Sequence, residues 1–226
     1  MKARINAVKL LVAAGAMAVA TGAAAQAQGQ FTVSVGANML KPNVTSGAIS
    51  APALPNSLGD VSKDTQPVAL ITYGLTDNIS VESAIGTPYK HKLYGAGAIA
   101  GTGQLGTVKA LPAIALVQYR FFEPNAMFRP YVGLGVTYAM FQKERGSFMM
   151  TALTNPGGGT PTTFRIDNKW TVSGQLGLQV NVTEKWFANA SYIKTRLSTD
   201  VHFSTNQQQH MKLDPDSLIL SVGYKF

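Results

Sequence analysis

The stretch that decides the fold is Ser217-Leu-Ile-Leu-Ser-Val-Gly-Tyr-Lys-Phe226. Leu218, Leu220, Val222, Tyr224 and Phe226 share one parity. Ser217, Ser221, Gly223 and Lys225 share the other, with Ile219 as the exception. Side chains alternate across a strand, so this period of two describes a strand with one apolar and one mostly polar face. Soluble proteins rarely end on an apolar strand closed by an aromatic. A transmembrane barrel does so readily, because its last strand closes the sheet against its first.

Working back from this tail, segments 31–39, 67–74, 79–87, 109–122, 128–141, 170–182 and 186–197 carry the same strand pattern. Residues 76–78, 123–126 and 183–185 read as short turns. Segments 41–64, 88–106, 142–168 and 204–215 are rich in Gly, Pro or polar residues and read as loops. Short and long connections therefore alternate. The expected fold is all-β, an eight-stranded antiparallel transmembrane β-barrel with short periplasmic turns and long external loops. A lipocalin-type barrel also has eight up-and-down strands, but it has no need of this asymmetry. Strands of ~9–11 residues suit a tilted crossing of the bilayer.

Aromatic residues sit near strand ends. Tyr73, Phe121, Phe128, Trp186, Tyr224 and Phe226 lie toward the short turns. Tyr138, Phe141, Trp170 and Tyr192 lie toward the loops. Two aromatic girdles at the two interfaces are expected.

The other end of the chain agrees with this address. Lys2, Arg4 and Lys9 precede an apolar run, Leu10 to Ala20, and Ala25-Gln-Ala27 fits a cleavage site. Residues 1–27 are expected to be a secretory signal peptide and 28–226 the barrel. The apolar run is short of the ~20 residues that span a bilayer. There is no cysteine, which excludes disulfides, thiolate metal sites and a lipoprotein anchor. Outside the leader, 16 of the chain's 19 basic residues remain against 11 acidic ones, a net charge of +5. These charges form no run in the sequence, and no basic stretch interleaved with aromatics marks a nucleic-acid surface.

With the Phe226 parity toward lipid, the other parity faces the lumen. Thr32, Ser34, Asn38, Asn181, Asn189 and Ser191 belong to it. So do Glu82, Gln118, Arg120, Gln175 and Gln179, the expected polar plug. Glu82 and Arg120 are costly to bury alone, so pairing or hydration is expected. Val68, Leu70, Ala84, Ile114, Leu116 and Ile193 are apolar on the lumen parity and are the channel-lining candidates, nearer the long loops. An apolar upper lumen over a polar plug is no route for ions. It suits a small apolar molecule that leaves sideways through the wall, or ordinary side-chain filling of a narrow barrel.

The tail resembles the C-terminal strand of bacterial outer-membrane barrels, whose final Phe helps the barrel-assembly machinery recognise the chain. Further segments are similar to the OmpW family: Asp77-Asn-Ile-Ser-Val-Glu82, Thr87-Pro-Tyr-Lys-His91, Leu111-Pro-Ala-Ile-Ala-Leu-Val-Gln-Tyr119, Phe128-Arg-Pro-Tyr-Val-Gly-Leu-Gly135, Gly174-Gln-Leu-Gly177, Trp186-Phe-Ala-Asn-Ala-Ser191 and Leu213-Asp-Pro215. The resemblance covers almost the whole chain after the leader, in order. It implies a barrel in the outer membrane of a Gram-negative bacterium, with outer-membrane lipid around it and small hydrophobic solutes as its cargo. It also implies a constriction formed by inward side chains at the positions of Ala84 and Ile193, the first of which is small here.

Three function classes follow. Passive uptake of small hydrophobic molecules is the expected one. A structural or surface-binding barrel, acting as receptor or adhesin through its loops, is the alternative. An enzyme is not expected: there is no G-x-S-x-G and no H-E-x-x-H, and no catalytic, cofactor or metal residue is assigned. His202 and His210 lie eight residues apart in a loop region, without the closer ligand spacing of most metal sites.

Overall fold

The computed structural model describes residues 27–226, and the expected leader lies outside the described residues apart from Ala27. The elements are β1 (Phe31–Lys41), β2 (Thr45–Ser46), β3 (Ser57–Val61), β4 (Asp64–Gly74), β5 (Ile79–Gly86), β6 (Tyr89–Gly97), β7 (Gln104–Arg120), β8 (Phe128–Gly146), α1 (Phe148–Thr154), β9 (Phe164–Ile166), β10 (Lys169–Asn181), β11 (Trp186–Thr195), β12 (Ser198–Phe203), β13 (Gln208–Lys212) and β14 (Asp216–Lys225).

Eight of these close a barrel in the order β1-β4-β5-β7-β8-β10-β11-β14, every pair antiparallel. The closing seam runs from Thr32↔Lys225 to Lys41↔Asp216. The Phe226 N–H donates to the Phe31 carbonyl at 2.9 Å, extending the seam to the chain end. In hydrocarbon an unpaired backbone group costs several kcal/mol, about as much as a small protein's whole margin of stability can tolerate, so an open edge is not a viable alternative.

Register fixes which side chains meet lipid. Val35, Leu134 and Leu220 point outward and are 63%, 70% and 59% exposed, while Ile219 between Leu218 and Leu220 is 1% exposed. The aromatics band both edges. Trp186 and Tyr224 rings meet at 5.1 Å, Tyr224 and Phe226 at 5.1 Å, and Tyr119 and Phe121 at 5.1 Å on the turn side. Tyr138 and Trp170 meet at 4.8 Å on the loop side. Along β8, Phe128 and Tyr138 bracket a height of about 25 Å, the thickness of an outer-membrane apolar band. Phe141 is a correction to the expected girdle. It points inward and is 9% exposed, because β8 continues past the band and the lumen parity at that height faces a second core.

The expected loops are largely structured. β7 and β8 continue as a hairpin extension beyond the point where β5 ends, and β6 takes over from β5 as the neighbour of β7. β3 pairs with β6, and β2, β13, β12 and β9 form a separate sheet. The Ser147 hydroxyl caps α1 by accepting from the Met150 N–H at 3.3 Å. These pieces bury a loop-side core that includes Ile99, Leu105, Phe141, Met150, Phe164 and Phe203.

Close approach explains one glycine directly. A Cβ on Gly177, which faces the lumen from β10, would overlap the Tyr131 ring, whereas one on Gly174 would meet nothing within 4 Å. Gly177→Val is expected to abolish the heat-modifiable gel shift of the folded barrel, since overpacking costs about 1–3 kcal/mol even where neighbours can yield. Gly174→Ala should leave that shift intact. A folded Gly177→Val barrel would contradict the packing described here.

Candidate functional site: the lumen

The lower lumen is a hydrogen-bonded plug. Gln118 is 0% exposed and joins both sides of it. Its Nε2 donates to Gln175 Oε1 at 2.8 Å, and Gln175 Nε2 donates to Glu82 Oε1 at 2.9 Å. The Thr72 hydroxyl donates to the other Glu82 oxygen at 3.1 Å. Arg120 donates to Ser80 Oγ at 2.9 Å, to Gln179 Oε1 at 2.6 Å and to Gln118 Oε1 at 2.7 Å. The Arg120 guanidinium also lies 4.8 Å from the Tyr131 ring centre. Gln179 passes the network on to Asn181 at 2.8 Å.

All five plug residues expected from the sequence thus meet in one network. Glu82 and Arg120 do not touch, however. Gln118 and Gln175 relay between them, so each charge is met by neutral amides and a hydroxyl rather than by direct pairing. Such a network stabilises only when complete, because a buried charge left bare is costly. Among the described residues, Asn38 Oδ1, Arg129 Nε and Ser191 Oγ are the buried side-chain polar atoms without a partner. A Cβ on Gly133 would come within 2.8 Å of Gln175 Oε1, so the bare backbone of β8 makes room for this relay.

Above the plug the lumen turns apolar. Val68, Leu70, Leu116, Ile193 and Ile219 form one buried cluster, with Ala84 and Ile114 packed against it. A cavity of about 90 Å³ opens above them. Val68, Ala84, Ile114 and Ile193 line it, with Ile219. Leu70 and Leu116, both 2% exposed, are absent from its lining and pack beneath it as a floor over the plug. A second apolar cavity of about 60 Å³ lies inside the loop-side core. Pro42, Phe141 and Leu213 line both, and so stand between the two spaces. Sequence parity missed these three because they belong to segments read as loops or, for Phe141, as girdle.

The wall beside the lower cavity is interrupted. β5 pairs with β7 as far as Ala84↔Ile114, and β6 resumes at Tyr89↔Ala110. Leu111, Pro112 and Ala113 therefore have no ladder partner on that side. Pro112 and Pro88 lie within the break and have no N–H to donate. Leu111 and Met140 are partners on the lipid-facing parity, yet both line the lower cavity together with Gly86 and Thr87. The cavity therefore borders the break in the ladder.

The three histidines lie above the membrane band, on strands rather than in irregular loops. His91 on β6 is 4% exposed, and its Nδ1 lies 2.6 Å from the Ser62 carbonyl. Burial holds its imidazole below the ordinary value, against the opposing pull of that carbonyl and of Asp64. His210 lies 2.7 Å from Asp200, and His202 3.3 Å from Asp167. The hydrogen bond with His210 draws the Asp200 carboxyl down, with burial opposing and Lys169 assisting. No group of three or more metal-ligating side chains occurs among the described residues.

A lipid-facing apolar band, aromatic girdles, a closed ladder and a plugged lumen define a small outer-membrane barrel. A family model described as the OmpW family matches residues 27–226, and the chain belongs to that family. It is 32% identical to Outer membrane protein W of Vibrio cholerae, covering 89% of this chain and 91% of that protein. It is 28% identical to Outer membrane protein AlkL of Ectopseudomonas oleovorans, over 77% of this chain and 70% of that one. The crystal structure of the outer membrane protein OprG from Pseudomonas aeruginosa superposes with a TM-score of 0.78 at 26% identity, covering 88% of this chain and 96% of that one. Its place is the outer membrane of a Gram-negative bacterium.

Gln175→Leu would leave Glu82 Oε1 and Gln118 Nε2 without partners. It is expected to cost about 2–4 kcal/mol in urea unfolding from lipid vesicles; a change within error would remove the relay from the account of stability. The His91 environment gives a second expectation. Its folded-state value lies below that of the unfolded chain, so below about pH 6.5 the unfolded form binds more protons and the folded form loses stability. Hydrogen-exchange protection factors of the β6 amides should fall between about pH 7.5 and about pH 5. The barrel amides should not follow, and β6 protection that stays constant would contradict the buried neutral imidazole.

Proposed function

We propose that the barrel takes up small hydrophobic molecules passively, receiving them in the loop-side core and releasing them sideways into the membrane. The observation that carries this reading is the lower cavity, apolar within and lined at the break in the wall by Leu111 and Met140 of the lipid-facing parity. Apolar cavities stay dry and accept small apolar molecules, whereas one water already occupies ~10–15 Å³ of such space. The plug beneath supports an exit through the wall. Moving a solute downward would mean breaking the Glu82-Gln175-Gln118-Arg120 network, while moving it outward leaves that network intact. The spaces are slender, so side chains at Pro42, Phe141 and Leu213 have to shift as a solute passes.

The OmpW-family membership points the same way, through the resemblance's hydrophobic channel. Val68, Ala84, Ile114 and Ile193 are the proposed channel wall, with Leu70 and Leu116 as its floor. The residues named by the resemblance as a constriction, Ala84 and Ile193, lie along this wall, and the narrowing in this chain is proposed to be Pro42, Phe141 and Leu213.

Ile193→Lys places a cation in the cavity wall. It should reduce entry of an apolar solute into protein-bearing liposomes by roughly tenfold or more, since a charge in an apolar site is strongly disfavoured. The gel shift on heating reports whether the variant has folded, and Ile193→Asn serves if it has not. Undiminished uptake through a folded variant would sink the proposal.

A further inference from the structure

Above the break in the wall, the outward face of three adjacent strands is basic. Lys90 on β6 lies directly opposite Lys109 on β7, and Lys109 lies opposite Gln142 on β8. In the next row outward, Lys92 lies opposite Thr107, and Thr107 opposite Arg145. Their inward neighbours His91 and Val108 are buried, which fixes Lys90, Lys92 and Lys109 on the outer surface, and Arg145, past a register shift between β7 and β8, is exposed.

Like charges facing each other across a strand pair are destabilising. Yet Lys90, Lys92, Lys109 and Arg145 form no ion pair among the described residues, whereas Arg165, Lys169, Lys194 and Lys212 on the same side of the molecule each pair with an aspartate. Acids are near enough in the chain to have served. Asp60 is the cross-strand partner of Tyr94, and Glu144 precedes Arg145, but neither makes a bridge to the patch. Lys90, Lys92, Lys109 and Arg145 thus form a cluster of cations whose charges no carboxylate among the described residues offsets by an ion pair.

Their height is set by the row below. Leu111 and Met140 are cross-strand partners on the same outward face, with Tyr138 one further pair down, opposite Ala113. The patch begins where the apolar band ends, at the level of the outer-leaflet head groups. In a Gram-negative outer membrane those head groups are phosphorylated glucosamines bearing several acyl chains.

We propose that this face seats one such glycolipid. Lys90, Lys109 and Arg145 would hold its phosphates, and its acyl chains would run down over Leu111 and Met140. Arginine and lysine are the side chains suited to phosphate, the first as a planar fork and the second as a point charge. A phosphate between Lys90 and Lys109 turns their mutual repulsion into two attractions. The site is a property of the membrane-embedded barrel and does not depend on what the lumen carries. It would place a bound lipid beside the wall opening.

The test uses the full-length folded protein in detergent, titrated in native mass spectrometry with bisphosphorylated lipid A, with the same lipid stripped of both phosphates, and with phosphatidylglycerol. Bisphosphorylated lipid A should remain bound best. The triple variant Lys90→Gln, Lys109→Gln and Arg145→Gln should bind it at least about tenfold more weakly. Lys185→Gln with Lys212→Gln, away from the patch, should bind normally. Single Lys90→Gln and Lys109→Gln variants should show graded losses and stand in if the triple variant does not refold. Equal binding of the dephosphorylated lipid or of phosphatidylglycerol, or unchanged binding by the folded variants, would overturn the proposal.

Discussion

Everything in this protein depends on the seam between β1 and β14. Hydrocarbon offers no partner for a backbone N–H or C=O, so a sheet crosses a membrane only if it has no edge. The seam aligns Val33 with Tyr224 and Val35 with Val222, apolar against apolar, while Ser34 faces Gly223 and Gly36 faces Ser221. A slip of one residue would put the slipped strand's serines into lipid and its apolar side chains into the plug. Closure and side-chain parity therefore enforce one another.

Closure leaves a narrow interior that side chains fill, and the chain divides it by height. Toward the periplasm, amides and a few charges form a network with almost every member satisfied. Toward the loops, Val68, Ile114, Ile193 and Ile219 leave space between them. The boundary lies between Leu116 and Gln118, two successive inward residues on β7. One strand thus changes from apolar to polar within a single repeat. The polar part can be stiff because its partners are fixed; the apolar part can yield because dispersion contacts have no direction.

The period-two pattern made the eight barrel strands and their faces legible, because in a barrel the lipid side and the lumen side alternate without exception along each strand. The inward parity of the six apolar and five polar residues follows from that alternation alone. The external segments were not. β6 was read as loop because its stretch, Tyr89 to Gly97, mixes lysines with glycines. β13, Gln208 to Lys212, is almost wholly polar. Both are strands only because a neighbour supplies their hydrogen bonds and a buried core takes their few apolar side chains. Phe141 failed as a girdle residue by the same logic, since whether an inward aromatic meets lumen or loop core depends on how far β8 extends. The separation of Glu82 from Arg120 was equally hidden: parity put both in the lumen, but only the register set two glutamines between them.

The sequence by itself determined the address, the strand count and the two faces of the sheet, because those follow from alternation, length and composition within each segment. The tertiary structure alone decided what the faces enclose. Strand register placed Gln118 and Gln175 between two charges, set Leu70 and Leu116 beneath the cavity rather than around it, and opened the wall between Ala84 and Tyr89. It also brought Lys90, Lys109 and Arg145 from three separate segments onto one surface. Each of these is a relation between residues distant in sequence, fixed by backbone hydrogen bonds between strands, and no local pattern encodes it.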